Sequence, residues 1–486
     1  MRNISVPGEV SDVCVRLEGA GFEAYLVGGC VRDIILKREP KDWDVATNAK
    51  PEEIQKLFED SVYENDFGTV IVKTEKDEGI KAVEVTTYRI EGKYSDKRHP
   101  DEVKFAKTIE EDLSRRDFTV NAMAVKISPD DEFVDPFGGR EDLKKGIVRA
   151  VGNPEERFRE DALRLMRAVR FAVELDFDIE LNTRRAIEKL AGGLEMIAKE
   201  RIRDEFEKMI MARHAAKGIL LLEELDLLRY VLPELREGLG VGQNKHHVYS
   251  VFEHSVKALD YTAKENYSLV VRLASLLHDV GKPKSKVGDG PDSTFYQHEY
   301  ISAKMATRAL DRLRFSRDLV EQVAHLVRRH MFYYNVGEIS PAGVRRFVVR
   351  VGPENIDDLL KVREADRIGS GVAKAVPYKL RHLLFMIDKV KRDPLSPKML
   401  KVTGDDVMRE LNIPPSPRIG WILNALLEEV LDDPALNDRD GLILRMKDLH
   451  KLTDAQLIMI AENAKNKKDE LEGEADEEMK QKHHVS

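Results

Sequence analysis

Segments with the composition of β-strands are confined to the first part of this 486-residue chain. The segments rich in apolar and β-branched residues, as strands are, lie at 24–28, 69–73, 82–87 and 119–125. Helical patterns at 51–58 and 109–113 separate them. After about residue 150, leucine, alanine, arginine and glutamate recur at helical spacing nearly to the end. The pattern predicts an α+β fold, with a small mixed α/β head on a long all-helical body.

The length predicts several domains, because one domain usually takes about 100–200 residues. Segments rich in glycine, proline and charged residues interrupt the helical body and suggest the boundaries. We predict a head, a helical neck, a second helical domain, a small helical module and a charged, disordered tail, at 1–150, 151–235, 236–395, 396–465 and 466–486.

The composition argues against a membrane protein and against a disulfide-rich secreted protein. No stretch reaches about 18 uncharged apolar residues, so we expect no membrane span. The N-terminus is too charged for a signal peptide, and the two cysteines, Cys14 and Cys30, suggest a reducing cytoplasm. The net charge of −9 argues against indiscriminate nucleic-acid binding but leaves room for a local basic groove. No obligate protein partner is evident.

A pair of glycines ends the first predicted strand. Gly28 and Gly29 precede a predicted helix that starts near Arg32. Glycine lets the backbone approach a ligand closely, and free N–H groups at a helix start bind phosphate oxygens. Arg32 can add a charge-assisted contact. Taken alone, the pair is more typical of a tight turn than of a phosphate-binding site.

Two carboxylates follow at a short distance, and they make a ligand site a better interpretation of the glycine pair than a simple tight turn. Asp42 and Asp44 are two residues apart, and such residues point to the same face of a strand. Two hard oxygen ligands beside a phosphate-binding turn suit Mg²⁺. The sequence therefore predicts Asp42 and Asp44 as catalytic residues that hold Mg²⁺.

These motifs resemble the nucleotidyltransferase superfamily, and more narrowly its class II branch of bacterial tRNA CCA-adding enzymes and poly(A) polymerases. Four further segments resemble that branch in order, namely RRDFTVNAM at 115–123, DPFGG at 135–139, EDALR at 160–164 and AKERIRDE at 198–205. The resemblance implies a template-independent RNA nucleotidyltransferase that acts on tRNA with CTP and ATP. It implies nucleotide binding by Gly28, Gly29, Arg32, Arg116, Asp117, Asn121, Asp161, Arg164, Arg167 and Arg170.

A template-free enzyme must choose its nucleotide with protein groups. Asp161 and Arg164 are spaced as helical neighbours, and cytosine and adenine both carry an amino group beside a ring acceptor. One carboxylate and one guanidinium can therefore serve both bases and reject guanine and uracil. Arg170 lies on the opposite side of such a helix, because each step of three residues turns it by about 60°. For Arg167 and Arg170, the alternative to nucleotide binding is that they form ion pairs on the surface of a helix.

The segment Tyr88–Pro100 favours tRNA as the substrate. It is charged and turn-prone, and it resembles the loop with which CCA-adding enzymes switch from C to A addition. The acidic chain also differs from bacterial poly(A) polymerases, which tend to be basic. An enzyme that adds only A or only CC, and a poly(A) polymerase, remain alternatives.

A second set of motifs in the helical body resembles the HD phosphohydrolase superfamily. The resemblance implies a site for Mn²⁺ or Ni²⁺, with Fe²⁺ and Mg²⁺ as alternatives, at His254, His278, Asp279 and Asp366. His298 and His330 are either added ligands or ordinary histidines. The remaining histidines that we interpret as structural are His246, His247, His325, His382 and His450. The domain either hydrolyses phosphoesters or only supports RNA, and a hydrolase with an RNA-binding head is the rival function.

The C-terminal module offers one apparent metal motif. Asp405 and Asp406 follow Gly404, but acidic residues near a helix start satisfy free N–H groups. We predict a helix cap there. The segment 414–417 before Arg418 resembles the part of the family that lies beneath the tRNA body, where we expect contacts to backbone phosphates.

Overall fold

The computed structural model describes residues 6–63, 68–74, 80–91, 103–127, 132–244, 248–390 and 397–460. The chain divides into two compact units, Met1–Ala324 and His325–Ser486. The division falls inside the range 236–395 that the sequence suggests as one domain, and the five-part division stays a prediction. Among the described residues, no helix has the length and apolar character that crossing a membrane requires.

The strands all lie in the first unit, as far as the structure describes the chain. Their bounds are β1 (Ala24–Val27), β2 (Asp44–Thr47), β3 (Ser61–Tyr63), β4 (Thr69–Lys73), β5 (Ala82–Thr87), β6 (Arg89–Glu91), β7 (Val103–Phe105), β8 (Ala124–Lys126), β9 (Phe133–Val134), β10 (Ile147–Val148) and β11 (Asp178–Ile179). The first six α-helices, which accompany the head strands, are α1 (Gly8–Gly19), α2 (Gly29–Ile35), α3 (Pro51–Leu57), α4 (Ile109–Ser114), α5 (Gly139–Lys145) and α6 (Pro154–Glu160).

The remaining α-helices form the body that the sequence predicts. They are α7 (Leu163–Leu175), α8 (Leu181–Leu190), α9 (Lys199–Met211), α10 (Ala215–Glu224), α11 (Leu228–Val231), α12 (Pro233–Arg236), α13 (Val251–Lys264), α14 (Leu269–Leu277), α15 (Lys282–Ser285), α16 (His298–Arg312), α17 (Arg317–Arg329), α18 (Pro341–Val351), α19 (Ile356–Gly369), α20 (Tyr378–Val390), α21 (Gly404–Leu411), α22 (Pro417–Asp432) and α23 (Arg439–His450). The predicted fold class, a mixed head on a helical body, is confirmed.

A seven-stranded sheet in the order β3-β4-β5-β2-β1-β8-β9 forms the head. Strand β1 pairs antiparallel with both β2 and β8, and all of its residues are buried. The β1–β2 register places Val27 opposite Asp44. The turn after β1 and the first residue of β2 therefore lie side by side at one end of the sheet.

Three of the four predicted strands are confirmed, as β1, β4 and β5. The prediction for 119–125 is only partly right, because Thr119–Asn121 forms a 3₁₀ helix before β8 begins at Ala124. The hydroxyl of Thr119 donates to buried Asp142 at 2.7 Å, and this contact fixes the turn. A short strand, β11, also lies beyond residue 150, where we expected none; it pairs with β10.

The C-terminal motif with two aspartates is a helix cap, as predicted. The Thr403 hydroxyl accepts a hydrogen bond from the Asp406 amide, and Asp406 accepts from the Thr403 amide at 2.9 Å. The Asp406 carboxylate also pairs with Arg439 at 2.6 Å. These contacts lower the pKa of Asp406, Arg439 most of all, and the group needs no metal ion.

Candidate functional site

The turn after β1 is tightly occupied. Gly28 has φ +75° and ψ −131°, a conformation that other residues rarely adopt. A Cβ atom on Gly28 would lie 2.9 Å from Nη1 of Arg116 and 3.4 Å from Oδ2 of Asp44. A guanidinium and a carboxylate thus flank the glycine backbone, and Gly29 starts helix α2 immediately after it.

Asp44 and Asp42 have different surroundings. Asp44 opens β2 and is half-buried, whereas Asp42 lies in an exposed bend before the strand, so placing both in one strand was wrong. Burial raises the pKa of Asp44, Arg116 lowers it in part, and the charge of Asp42 raises it again. The pKa is raised on balance, so the negative charge of Asp44 is incompletely compensated by the protein. A divalent cation fits such a pair of carboxylates.

Arg116 is held in place by a buried carboxylate. Its Nη2 atom lies 3.2 Å from Oδ2 of Asp112, whose side chain is only 1% exposed. The neighbouring Arg115 occupies the other oxygen of Asp112 at 2.8 Å. Because Asp112 is fixed by both arginines, it can keep the Arg116 guanidinium at the glycine turn.

Several predicted nucleotide-binding residues meet beside this turn. Arg32 donates to Oδ1 of Asn121 at 2.9 Å, and the 3₁₀ helix brings Asn121 there. Arg167 donates to Oδ2 of Asp117 at 2.7 Å. Burial would raise the pKa of Asp117, but the arginines Arg167 and Arg164 outweigh it and lower the pKa.

The ring of Phe171 lies near both of these arginines, Arg32 and Arg167. The guanidinium of Arg32 lies 5.6 Å from its ring centroid and that of Arg167 lies 5.2 Å away. Arg170 is closer, at 4.0 Å, and its charge is compensated by Glu205 at 2.5 Å and Glu174 at 2.7 Å. Arg170 thus forms ion pairs, but it is buried and does not lie on a helix surface, and Arg167 is likewise paired with Asp117 and Glu205.

The expected geometry of Asp161 and Arg164 is wrong. Asp161 lies in extended backbone between α6 and α7, so the two residues are not neighbours within one helix. The Asp161 carboxylate instead accepts two hydrogen bonds from Arg201 of α9, at 2.7 and 3.2 Å. Arg164 pairs with Glu160 at 2.7 Å. The sequence did not single out Arg201 as a site residue, although Arg201 lies in the segment 198–205 that resembles the family.

A second polar cluster lies inside the helical part of the first unit. His254 of α13 and His278, which follows α14, approach each other to 2.9 Å through their Nε2 atoms. Both Nε2 atoms lie 3.1 Å from Oδ2 of Asp279, and all three side chains are at most 1% exposed. His298 joins from the start of α16, with its Nε2 atom 3.2 Å from Oδ1 of Asp279.

The orientation of these imidazoles suits a cation. Nδ1 of His278 lies 2.8 Å from the Ser275 carbonyl oxygen, and Nδ1 of His298 lies 2.7 Å from that of Phe295. Because a carbonyl oxygen can only accept a hydrogen bond, Nδ1 carries the proton in both rings. The Nε2 atom of such a ring, when it is neutral, has a lone pair that is directed at Asp279. Acceptors that converge in this way are typical of a metal centre whose histidines are oriented by carbonyl groups. Lys282 also reaches Asp279, with 2.7 Å between Nζ and Oδ2.

Two other candidate ligands belong to the second unit. Asp366 lies on α19, is nearly buried and pairs with Arg363 at 2.6 Å. The Nδ1 atom of buried His330 lies 2.7 Å from the Val327 carbonyl oxygen. Their part in the metal centre stays a prediction. His246, His247 and residues 92–100 of the proposed switching loop lie outside the described residues.

Comparison with known families gives three matches along the chain. The profile described as "Poly A polymerase head domain" matches residues 24–149, and "Probable RNA and SrmB- binding site of polymerase A" matches 176–239. "HD domain" matches 246–369. The first range contains the glycine turn, both aspartates and Arg116, and the third contains the buried histidines of the first unit. Residues 150–175, which include Asp161 and Arg164, lie between the first and second ranges.

Similar proteins are named CCA-adding or A-adding enzymes. The CCA-adding enzyme of Leuconostoc mesenteroides is 46% identical over 235 residues, which is 48% of this chain and 57% of that protein. The CCA-adding enzyme of Ligilactobacillus salivarius is 34% identical over 89% of this chain and 94% of its own length. An A-adding tRNA nucleotidyltransferase of Deinococcus radiodurans is 39% identical over 66% of this chain and 75% of its own length.

A solved structure extends the similarity over most of the chain. The CCA-adding enzyme of Bacillus stearothermophilus in complex with CTP superposes with a TM-score of 0.67 at 28% identity. The match covers 91% of this chain and 97% of that one. As the motifs predicted, the chain belongs to the family of tRNA nucleotidyltransferases that includes the CCA-adding enzymes.

Proposed function

We propose that this protein adds the 3′-terminal CCA to tRNA from CTP and ATP, without a nucleic-acid template and with Mg²⁺. The observation that carries the proposal is the position of Asp44 and Arg116 on either side of the Gly28 turn, with Asp42 nearby. An RNA-binding module without transfer chemistry would not need two neighbouring carboxylates at a glycine turn, with the charge of Asp44 incompletely compensated. Family membership supports the same reaction.

Asp42 and Asp44 would hold the magnesium ion. A bound Mg²⁺ neutralises the leaving pyrophosphate and lowers the pKa of the attacking tRNA hydroxyl. The chain itself contributes the orientation of both partners. Arg116, fixed by Asp112, and Arg32, fixed by Asn121, lie where they can bind triphosphate oxygens.

Selection of the base would belong to Asp161 and Arg164, at the junction of α6 and α7. Arg201 orients the Asp161 carboxylate, whose oxygens can accept hydrogen bonds from a base. Such an acceptor matches the amino groups of cytosine and adenine and opposes the carbonyl oxygens of uracil and guanine. Arg167 would support this site through Asp117.

The proposal is tested by incubating the purified protein with tRNA that lacks its CCA end. Each labelled nucleoside triphosphate is supplied separately and as a mixture with Mg²⁺, and a matched sample contains excess chelator. We expect incorporation of C and A with little of U and G, and none with chelator. A long A tail on this tRNA would instead indicate a poly(A) polymerase.

We further propose a metal-dependent phosphohydrolase site at His254, His278 and Asp279. Their buried, converging acceptors fit Mn²⁺ or Ni²⁺, and metal-bound water supplies a nucleophile for phosphoester hydrolysis when the ion is present. His298 of the same unit would add a further ligand, and Asp366 remains a ligand predicted from the sequence. Cyclic phosphates at damaged tRNA ends and free nucleotides are the candidate substrates.

Replacing His278 by alanine should weaken Mn²⁺ or Ni²⁺ binding at least tenfold, because the variant loses a buried nitrogen ligand. The measurement is metal content after dialysis, determined by mass spectrometry on wild-type and variant protein. His214→Ala is the matched control, since the His214 side chain is 43% exposed and lies outside the cluster. Equal metal content in wild type and His278→Ala would contradict the assignment.

A further inference from the structure

Helix α20 of the second unit has an exposed aromatic face. Its inward side consists of the buried residues Leu380, Leu383, Met386, Ile387 and Val390. On the outward side, Tyr378 is 63% exposed and Phe385 is 62% exposed. These two residues are seven positions apart, which is two helical turns, so they project from one side of the helix. Two large aromatic side chains in water beside an already buried face suggest an interaction surface.

Neighbouring rings extend this surface into a row. The His382 ring lies 6.1 Å from Tyr378 and 6.2 Å from Phe385, measured between centroids. The Tyr334 ring lies 6.0 Å from His382, and its hydroxyl group is hydrogen-bonded to Nδ1 of that ring. We call Tyr334, Tyr378, His382 and Phe385 the α20 aromatic row. Because the hydrogen bond orients His382, little rotamer freedom remains to be lost there on binding.

The segment that carries three of the four rings is positively charged, in contrast to the acidic chain. Between Val372 and Val390 the basic residues are Lys374, Lys379, Arg381 and Lys389, against the single acidic residue Asp388. Arg381 is exposed on the helix between Tyr378 and Phe385. Aromatic faces interleaved with positive charges suit single-stranded or exposed nucleic-acid bases, whose rings stack while their phosphates bind the cations.

We propose that the α20 aromatic row is a stacking platform for exposed nucleobases of the tRNA substrate, with Arg381 contacting an adjacent phosphate. This inference rests on the proposed function, since it takes tRNA as the partner. A second copy of the chain is a poorer occupant, because self-association through this face would bring like charges together. The platform would contribute affinity for the RNA and take no part in the chemistry.

The test is a double variant, Tyr378→Ser with Phe385→Ser, which removes both exposed rings and leaves the inward face of α20 intact. Its affinity for tRNA without CCA, measured by filter binding at fixed salt and without nucleotides, should fall at least about tenfold. The matched control is Leu444→Ser on α23, where an equally exposed apolar side chain is removed. The conservative variant Phe385→Tyr should bind tRNA as the wild type does.

Arg381 gives an independent readout. In Arg381→Gln the slope of log affinity against log salt concentration should become shallower by about one, because one phosphate contact is lost. Unchanged tRNA affinity in the double serine variant would overturn the platform. A wild-type dimer that the double variant converts to monomers, seen by light scattering with unchanged tRNA affinity, would overturn it in favour of self-association.

The binding assay separates this inference from the proposed function. If the wild type extends tRNA but the double variant keeps full affinity, only the platform is rejected. If the wild type binds tRNA through the row but adds no nucleotide, only the transfer reaction is rejected. A wild type that fails to bind tRNA would reject both.

Discussion

Replacing Asp44 or Asp42 by asparagine should reduce nucleotide addition to tRNA by at least about a thousandfold, while tRNA binding is kept. Asparagine has nearly the same size as aspartate but offers no negative charge to a cation. Charge stabilisation by a bound metal is worth several kcal/mol, and each 1.36 kcal/mol changes the rate about tenfold. The measurement is the initial rate of labelled ATP or CTP incorporation under saturating Mg²⁺.

The control for this experiment is Asp60→Asn, because Asp60 is an exposed aspartate whose side chain pairs with Lys73. It should retain wild-type activity. Circular dichroism melting of all variants checks that the fold is kept. Transfer at more than about a tenth of the wild-type rate in both Asp42→Asn and Asp44→Asn would remove these carboxylates from the mechanism.

The second large effect concerns stability. Replacing Arg272 by methionine should destabilise the first unit by at least about 3 kcal/mol, because an unsatisfied buried acceptor costs about 1–3 kcal/mol. The Arg272 side chain is fully buried. It donates to the carbonyl oxygens of Ile210 and Ala212 at the end of α9, and to that of Tyr267 before α14, at 2.8, 3.0 and 2.9 Å.

The partners explain why methionine cannot compensate. A buried ion pair can often be replaced by apolar side chains, because both partners are removed together. Here three of the acceptors are backbone carbonyl oxygens, which stay in place after Arg272 is replaced, and the fourth is Oδ1 of Asn266 at 3.3 Å. Burial also lowers the pKa of Arg272, so the native contacts already work against a desolvation cost.

Thermal unfolding followed by circular dichroism measures this effect, with an expected fall in Tm of at least about 5 °C. Arg229→Met is the matched control, because Arg229 forms an exposed ion pair with Asp226, worth less than about 1 kcal/mol. A Tm of Arg272→Met within about 1 °C of the wild type would show that water or a rearranged side chain satisfies the carbonyl groups.

The parts of the site that sequence predicts well are local in the chain. The Gly28 turn and the two aspartates are separated by few residues, and the fold brings them together because β1 and β2 are adjacent antiparallel strands. Asp279 and His278 are likewise neighbours in sequence. These parts of both clusters could therefore be predicted because their residues are close together in the sequence.

The contacts that sequence missed join distant segments. Asp161 and Arg201 are 40 residues apart, and only the packing of α9 behind α7 makes them partners. Helical spacing suggested Arg164 instead, because nothing in the sequence shows that the helix is interrupted at Asp161. Arg272 reads as a polar interruption in an apolar run, and its carbonyl partners have no sequence signature at all.

The 3₁₀ helix at Thr119–Asn121 gave a similar error. Its residues have the composition of a strand, but a buried hydrogen bond from Thr119 to Asp142 outweighs that local preference. The 3₁₀ helix places Asn121 in contact with Arg32, and the predicted strand at 119–125 did not suggest this contact.

The most direct test of the central claim uses three transcripts of one tRNA, which lack the CCA end, end in CC, or carry the complete CCA. Each is incubated with wild-type protein, Mg²⁺ and CTP, ATP or both, and the products are read on a sequencing gel. We predict that the first transcript grows by CCA and stops, that the second gains one A, and that the third is unchanged. Growth of the second transcript alone would mean an A-adding enzyme, and no growth of any transcript would contradict the account.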